Sequence, residues 1–243
     1  MSETKAMHQP NYVPWLGYFH KLASCDSFVH LDAVQLPRGQ SFAARNRIKT
    51  PNGVAWLTIP VSRPHGRDGR VSYREARFAE PGWKDKHLKT VEMSYRRAPF
   101  FDEVFPIYER GLGDRDSLVD VNLALIGAIA DYLGITSRQE RLSGLLPEFG
   151  QKNELIAELC KALGTTIYVS GAGGGREYAD AELLAEQGIE LRFDEFTPPE
   201  YPQLWGAFEP SLSILDALFN CGAEGCRALL GNAPSLARSE SQA

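Results

Sequence analysis

The chain has 243 residues, of which 26 are Lys or Arg, 31 are Asp or Glu and four are Cys, giving a net charge of -5. Its apolar runs are far shorter than the roughly 20 residues of a membrane-spanning helix, and its start lacks the layout of a signal peptide. Four cysteines without a CxxC pair exclude a disulfide scaffold. We therefore expect a cytoplasmic protein with a flexible leader (1–6), a single α/β domain (7–235) and a flexible tail (236–243).

The first elements follow one another as strand, loop, helix and strand. A short strand is predicted from Ala6 until Pro10, which cannot continue a hydrogen-bonded ladder. Residues 15–23 carry apolar side chains at helical spacing, and 28–31 form a compact apolar run. This is the size of a βαβ unit, in which the two strands run parallel.

The middle of the chain is predicted to hold a hairpin followed by helices. Asn52-Gly53 is a strong turn signal that joins the predicted strands 45–49 and 56–61. A loop rich in glycine and arginine leads to a short strand at 71–73. Helical spacing then predicts helices over 83–95, 100–108 and 118–133, within a helical insertion at about 83–150.

The last third returns to alternating helices and strands. The predicted elements are a helix (153–163), a strand (166–169), a glycine loop (170–175), a helix (177–187), a strand (189–193) and a helix (212–219). The predicted fold class is therefore α/β, with a parallel or mixed sheet, flanking helices, a helical middle segment and one β-hairpin. Whether the strands of the two halves share one sheet stays open.

The loop after the first strand is the first candidate site. Loops at the carboxyl ends of parallel strands bind ligands in open α/β sheets, and the following helix N-terminus favours an anion. His8 is the first catalytic candidate, as an acid, base or phosphate donor; the alternative is that it hydrogen-bonds a turn while Trp15 fills the core. The substrate-binding candidates in this loop are Gln9, Asn11, Tyr12, Trp15 and Gly17.

Two further candidates follow the second predicted strand. Asp32 is the second catalytic candidate, because a carboxylate at a strand end suits a ribose hydroxyl or a general base, although a turn or helix cap is the alternative. Three cations on one face of the 45–49 strand favour an anion, unless they form a solvated edge strand. The substrate-binding candidates here are Gln35, Arg45, Asn46, Arg47 and Lys49.

The last third contains two more candidate segments. The glycine loop has the strand–loop–helix setting that cradles phosphate, without a dinucleotide fingerprint or a Walker pattern. The proline-rich loop 197–203 and the following helix start offer aromatic, amide and carboxylate groups, for which capping is the alternative role. The substrate-binding candidates are Ser170, Gly171, Gly173, Arg176, Tyr178, Tyr201, Gln203, Ser213 and Asp216. The five histidines are too scattered for a metal site.

The chain resembles the WbqC-like protein family. The match rests on HQPNYVPWLGYFHKLA (8–23), FVHLDAVQ (28–35), RNRIKTPNGVAWLTIPV (45–61), YVSGAGGGREY (168–178) and YPQLWGAFEPSLSILDALFNCG (201–222). The resemblance implies a bacterial protein associated with surface-polysaccharide (O-antigen) and amino-sugar modification pathways. The first unit also looks like that of HIGH-motif nucleotidylyltransferases and pantothenate synthetase, with Gly17 where ATP phosphates approach the backbone and Trp15 and Tyr18 in place of two histidines.

Three functions stay open. The first is an enzyme that transfers an acyl or aminoacyl group to a nucleotide-linked amino sugar, with His8 or Asp32 deprotonating the ammonium group. The second is an ATP-dependent ligase or nucleotidylyltransferase of the HIGH type, and the third is a non-catalytic binding protein of the same pathway. The cofactor is unknown.

The expected partner is one small anionic molecule, a nucleotide sugar in the first hypothesis, and no nucleic acid. Between Arg38 and Arg77, eight Arg and one Lys accompany one Asp and one Glu, whereas the chain as a whole is acidic. A single site requires that His8, Asp32, Arg47 and the glycine loop converge on one pocket.

Overall fold

The fold is built from short strands and helices in alternation. The computed structural model describes residues 3–37, 39, 41–62, 71–171, 179–231 and 233. In chain order the elements are β1 (Thr4–His8), α1 (Leu16–Ala23), β2 (Ser27–His30), β3 (Arg45–Thr50), β4 (Gly53–Thr58), β5 (Val61–Ser62), β6 (Arg77–Phe78), α2 (Trp83–Tyr95), α3 (Phe101–Leu112), α4 (Leu118–Leu133), β7 (Arg138–Arg141), α5 (Leu142–Leu145), α6 (Asn153–Ala162), β8 (Ile167–Gly171), α7 (Ala181–Glu186), β9 (Glu190–Asp194) and α8 (Ile214–Leu230).

Five strands form one parallel sheet in the order β7-β2-β1-β8-β9. Numbered in chain order within this sheet alone, the order is 3-2-1-4-5. The chain therefore leaves β1 towards β2 and returns later to the other side of β1, which makes the β1–β8 boundary a topological switch point. The predicted α/β class is confirmed, and strands from both halves of the chain share this sheet.

The two faces of the sheet pack against different helices because successive strand residues point to opposite sides. Ala6 belongs to a large core cluster with α1, α2, α3, α4 and α8, whereas its neighbour Met7 belongs to a smaller cluster with α5, α6 and α7. The β3–β4 hairpin and the helical middle segment, both predicted, lie on the side of the large cluster. Helices α1 and α6 consequently approach the carboxyl edge of the sheet from opposite faces.

Several predicted boundaries were wrong. Strand β1 begins at Thr4, inside the predicted leader, because the charged Lys5 is buried with its ammonium paired to Glu3. A sheet strand, β7, lies within the predicted helical insertion. Ser72 forms a single bridge to Gln35 where a strand was predicted, and β5 pairs with β6 as a second, unpredicted antiparallel pair.

The predicted final helix begins at Ile214, and Gly222, at φ 65° and ψ −170°, interrupts the helical span Ile214–Leu230. A second helical segment, which was not predicted, follows this kink at Gly222. A Cβ at this position would meet the ring of Phe100 at 2.5 Å, so the kink needs glycine for space as well as for backbone conformation. The predicted tail, 236–243, lies outside the described residues.

Candidate active site

A cavity of about 730 Å³ opens at the carboxyl edge of the parallel sheet. Its floor is made by the ends of β1, β8 and β9, and its walls by α1 on one side and by the start of α6 on the other. The cavity therefore sits at the switch point between β1 and β8, where open α/β sheets bind ligands. Seven of the predicted site residues line it: His8, Gln9, Trp15, Gly17, Gln35, Ser170 and Gly171.

His8 ends β1 and lines the cavity, and its Nε2 has no hydrogen-bond partner among the described residues. Its Nδ1 lies 2.8 Å from the carbonyl oxygen of Gln9, which can only accept, so Nδ1 carries the proton and Nε2 carries the lone pair. Burial and the nearby charge of Lys21 lower the pKa of His8 to about 3. At neutral pH this imidazole is therefore a hydrogen-bond acceptor at Nε2.

Tyr18 lines the cavity beside His8, and the buried His30 lies behind it. The ring centroid of Tyr18 lies 5.1 Å from that of His8. The Tyr18 hydroxyl is 3.2 Å from Nδ1 of His30, and Nε2 of His30 is 2.9 Å from Oε1 of Gln139. Burial lowers the pKa of His30 to about 4, so the neutral ring donates to Gln139 and accepts from Tyr18. Tyr18, His30 and Gln139 were not among the residues predicted for the site.

Lys21 places a buried cation in the same wall. Its Nζ donates to the carbonyl oxygen of Met7 at 3.0 Å and lies 3.9 Å from where a Cβ of Gly171 would be. Burial lowers the pKa of Lys21 to about 8, against the opposing charge of Asp194. Asp194 is itself paired with His20 at 2.9 Å. A lysine inside an apolar helix face was the available sequence signal for this residue, and it was missed.

The first turn of α1 borders the cavity through Gly17 and Tyr18, and the main-chain N–H of Tyr18 donates to the carbonyl oxygen of Trp15 at 3.0 Å. No side chain caps this turn, and it contains no acidic residue, so its positive dipole end favours an anion. Gly17 lacks a side chain for a specific reason: a Cβ there would lie 2.4 Å from Cζ2 of Trp15. The glycine thus makes room for the half-exposed indole, and the space expected for an ATP phosphate holds Trp15.

The opposite wall is formed by residues around the start of α6. Lys152 stands at the helix N-cap with φ 52°, an unusual conformation for a residue with a side chain. Carboxylates surround this start: Glu158 accepts from the main-chain N–H of Gly150 at 2.8 Å. An anion is therefore better placed at the start of α1 than at the start of α6.

Other predicted residues hold the opening loop in place instead of lining the cavity. Asn46 Nδ2 donates to the carbonyl oxygens of Tyr12 and Val13, at 3.3 and 2.8 Å. The Ser213 hydroxyl donates to the same carbonyl of Val13 at 2.8 Å, and also caps α8. Asn122, which the sequence did not suggest, donates to the carbonyl oxygen of Pro10 at 2.8 Å. These contacts fix the loop between β1 and α1.

Tyr12 anchors the same loop from below. Its hydroxyl is hydrogen-bonded to Tyr108 at 2.7 Å and to Nδ1 of His87 at 2.8 Å, in the large core cluster. Burial lowers the pKa of His87 to about 4. Tyr12 is therefore a buried anchor, and the half-buried Asn11 beside it also lies outside the cavity.

The structure places Asp32, the second predicted catalytic residue, outside the cavity lining. Its carboxylate accepts from the main-chain N–H and the hydroxyl of Ser143, at 2.9 and 2.6 Å, and it is 1% exposed. Leu31 and Ala33 line the cavity, whereas Asp32 lies in the turn between them and is directed towards Ser143, outside the cavity lining. Its role is to fix the start of α5, the cap that was the alternative.

The predicted cationic stripe on β3 does not reach the cavity either. The Arg45 guanidinium lies 4.0 Å from the centroid of the Trp56 ring. Arg47 donates to the main-chain carbonyls of Pro210 and Ser211, at 3.2 and 3.1 Å. These cations are engaged with the chain itself, so His8 and Arg47 do not share one pocket.

Lys49 and Asp216 form a second, closed group, here called the Lys49–Asp216 cluster (Lys49, Tyr95, Gln203 and Asp216). Lys49 Nζ donates to the carbonyl oxygen of Ala207 and, at 3.0 Å, to Oε1 of Gln203. The Tyr95 hydroxyl donates to Oδ1 of Asp216 at 2.9 Å. Burial raises the pKa of Asp216 to about 6, opposed by Tyr95 and Lys49. Four predicted site residues thus gather here or beside it: Lys49, Gln203, Asp216 and Tyr201, whose phenol pKa is raised by burial and by Asp216.

The remaining predicted residues, Gly173, Arg176 and Tyr178, lie outside the described residues. They belong to the glycine loop, whose flanking residues Gly171 and Ala179 line the cavity. Within the described part of the chain, no group of three or more metal-ligating side chains is gathered, and no helix is long and apolar enough to cross a bilayer.

Comparisons with known proteins point to one family. A sequence model of the WbqC-like protein family matches residues 9–228. A protein of Mycobacterium tuberculosis (strain ATCC 25618 / H37Rv), named as uncharacterized, is 38% identical over 224 residues, which cover 90% of this chain and 94% of that protein. No solved structure matches.

Proposed function

Because the chain belongs to the WbqC-like protein family, we propose that it is a cytoplasmic enzyme of bacterial surface-polysaccharide or amino-sugar modification, which transfers an acyl or aminoacyl group to a nucleotide-linked amino sugar. One observation carries the proposal: the switch-point cavity brings together an acceptor nitrogen on His8, a buried ammonium on Lys21 and an uncapped helix start. This combination suits a ligand with both a hydrogen-bond donor and a phosphate group.

The anionic part of such a ligand has three attractive groups. Lys21 and the positive dipole end of α1 lie on one side, and the exposed Lys152 stands on the other. Trp15 adds an indole face on which a nucleobase or sugar can stack. The only carboxylate among the described lining residues, Asp194, is already paired with His20.

The amine of the acceptor sugar would lie against His8. A neutral amine donates a hydrogen bond to Nε2, whereas an ammonium ion is disfavoured by the neighbouring charge of Lys21. This changes the predicted role of His8: with its pKa lowered to about 3, it does not deprotonate a free ammonium ion.

The transfer step balances with His8 as a proton carrier. The amine nitrogen attacks the acyl carbon of a thioester-type donor, so a nitrogen–carbon bond forms and the carbon–sulfur bond breaks. The proton that the nitrogen loses, which becomes acidic once the bond forms, passes to Nε2 of His8 and from there to the thiolate.

Calorimetric titration tests the proposal. The ligands are a nucleoside diphosphate amino sugar with a free amine, its N-acetylated form and the nucleoside diphosphate alone. We expect the free amine to bind most tightly, because only it donates to Nε2 while leaving the cavity unobstructed. Lys21→Met should lower the affinity at least tenfold, since a hydrogen bond to a charged group contributes about 1.5–3 kcal/mol.

Lys89→Met, which removes an exposed lysine from the remote helix α2, is the matched control. Mass spectrometry with a panel of acyl donors then looks for the amide product. Equal affinity for the three ligands, or no saturable binding, would reject the proposed acceptor. Binding without any product across the panel would favour the non-catalytic binding protein instead.

A second candidate is the HIGH-type nucleotidylyltransferase, because the 3-2-1-4-5 order places the cavity beside the first βα unit, as nucleotide-binding sheets do. The position of Trp15 over Gly17 counts against it. This candidate predicts thermal stabilisation by ATP and release of pyrophosphate, and absence of both excludes it.

A further inference from the structure

We propose that the α6 side of the cavity is a subsite for the hydrocarbon chain of the acyl donor. The inference rests on the proposed function and narrows its donor class from acyl or aminoacyl groups to acyl groups with an alkyl chain. The residues that form this acyl subsite are Leu31, Val34, Phe149, Leu155 and Ile156.

The acyl subsite is an extension of the smaller core cluster that the fold leaves open. Leu31, Leu155 and Ile156 are buried members of that cluster, and Val34 and Phe149 are half-buried and packed against it. All five also line the cavity, so apolar surface of the core faces the ligand space. Filling this surface with an alkyl chain removes it from water, which is favourable.

The two walls of the cavity differ in chemistry. Lys21 on α1 and the strand-end residues His8 and Asp194 make one side of the cavity polar, whereas the five subsite residues on the α6 side are all apolar. Lys152 and Gln151 stand exposed at the rim of this wall. A charged aminoacyl side chain in the subsite would lose its hydration without gaining a partner, which disfavours it.

The separation of polar and apolar residues on the two sides of the cavity orients the acyl donor. With its chain in the acyl subsite, the donor directs its carbonyl carbon towards the α1 wall and His8, whose Nε2 has no partner within the described parts of the chain. The sugar amine bound at His8 then meets the acyl carbon from the polar side. The two substrates thus occupy opposite halves of one cavity.

A chain-length series tests the subsite in the full-length protein. The probes are acetyl-, butyryl-, hexanoyl- and octanoyl-pantetheine, with dissociation constants measured by calorimetry. We expect the affinity to rise about fourfold per added methylene until the subsite is filled, the ratio that corresponds to about 0.8 kcal/mol per buried methylene. An affinity that does not change with chain length would overturn the inference.

Two variants shift the series in opposite directions. Ile156→Trp narrows the subsite and should shorten the chain length of tightest binding. Phe149→Ala widens it and should lengthen that optimum; because Phe149 is only half-buried, this variant keeps the test valid if Ile156→Trp fails to fold. Leu183→Trp, at an exposed position of α7 outside the cavity lining, is the control. An unchanged optimum in Phe149→Ala refutes the subsite.

The chain-length test and the test of the proposed function can fail independently of each other. Chain-length dependence without nucleotide-sugar binding rejects the acceptor and keeps the acyl subsite. Nucleotide-sugar binding with equal affinity for all four pantetheines keeps the acceptor and rejects the subsite.

Discussion

Two buried lysines show how differently this protein uses the same side chain. Lys21 and Lys49 are 5% and 2% exposed, and each donates to a main-chain carbonyl, of Met7 and Ala207 respectively. Lys49 has a second acceptor, Gln203, and a buried carboxylate, Asp216, close by. Lys21 also has a carboxylate nearby, Asp194, but that group is paired with His20, and Lys21 lines a cavity with room for a ligand.

The difference separates a residue that supports the fold from one placed for binding. A buried ammonium needs compensation for its lost hydration, and the Lys49–Asp216 cluster supplies it within the chain. At Lys21 the compensation is incomplete, as its lowered pKa indicates, so an anion in the cavity would complete it. Substitutions at the two positions should therefore act on different measurable quantities.

Lys49→Met should produce the largest loss of stability. It removes the nearby charge that favours the buried carboxylate of Asp216, whose Oδ2 already has no hydrogen-bond partner among the described residues. Leaving a buried charge without compensation costs up to about 3–5 kcal/mol, measurable by urea denaturation. The affinity for the nucleotide sugar, measured well below the melting temperature, should stay unchanged.

The double variant Lys49→Met/Asp216→Leu checks the cause. Because it removes both charges, it should recover part of the lost free energy of unfolding. No recovery would mean that Lys49 acts through packing alone, and the comparison with Lys21 would lose its electrostatic basis.

Acid should destabilise the protein through two buried histidines, His30 and His87, and the half-buried His8. His8, His30 and His87 have pKa values lowered to about 3, 4 and 4, from an ordinary value of 6.5. Between pH 6.5 and about 4 the unfolded chain binds more protons than the folded one, so the free energy of unfolding falls as the pH falls. Each histidine contributes up to about 1.4 kcal/mol per pH unit, and the full contribution is present above pH 6.5.

A bound anion sharpens this test. A phosphate near His8 raises the pKa of His8. Saturating nucleoside diphosphate should therefore reduce the contribution of His8 to the fall of the free energy of unfolding with falling pH. The contribution of His87, which lies in the core and is hydrogen-bonded to Tyr12, should not change. Stability curves at several pH values, with and without ligand, measure both effects, and an unaltered slope would place the anion elsewhere.

The sequence predicted those elements whose stabilising groups are close together in the chain. Helices α2 and α4 match their predicted ranges, because apolar spacing marks both and Gly134 ends α4. The Asn52-Gly53 turn located the hairpin for the same reason. Strand β7 was missed, because RQER has no apolar pattern and is held as a strand by pairing with β2.

The candidate site was predicted only where it follows directly from a strand end. His8 and Gly171 line the cavity because each ends a strand next to the switch point. Arg47 and Asp216 looked equally reactive, but the sequence does not say which buried charges find partners in the fold. The missed Lys21 and Phe149 are brought to the cavity by packing of α1 and α6, which depends on contacts distant along the chain.

Lys21→Met should lower the affinity for the ligand and leave the stability almost unchanged, which is the reverse of the effect expected for Lys49→Met. Removing a poorly compensated buried charge should leave the free energy of unfolding within about 1 kcal/mol of the wild type. Affinity for the nucleoside diphosphate should nevertheless fall at least tenfold. Urea denaturation gives the free energy of unfolding, and calorimetry gives the ligand affinity, for both Lys21→Met and Lys49→Met. A loss of several kcal/mol in Lys21→Met would show that both lysines support the fold.

Gly17→Ala should give the smallest effect and tests the position of Trp15 in the cavity wall. The new Cβ would lie 2.4 Å from the indole, so the indole must move, whereas alanine itself favours a helix by about 1 kcal/mol. Gly127→Ala, in α4 with nothing within 4 Å of the added Cβ, isolates the helix preference. We expect Gly127→Ala to be stabilising, and we expect the free energy of unfolding of Gly17→Ala to be about 1–3 kcal/mol lower than that of Gly127→Ala, which is the cost of forcing a side chain into occupied space.

A changed tryptophan fluorescence spectrum in Gly17→Ala alone would identify the moved indole. Equal stability of the two variants would mean that the space above Gly17 is free, which would restore the approach of a phosphate to this turn.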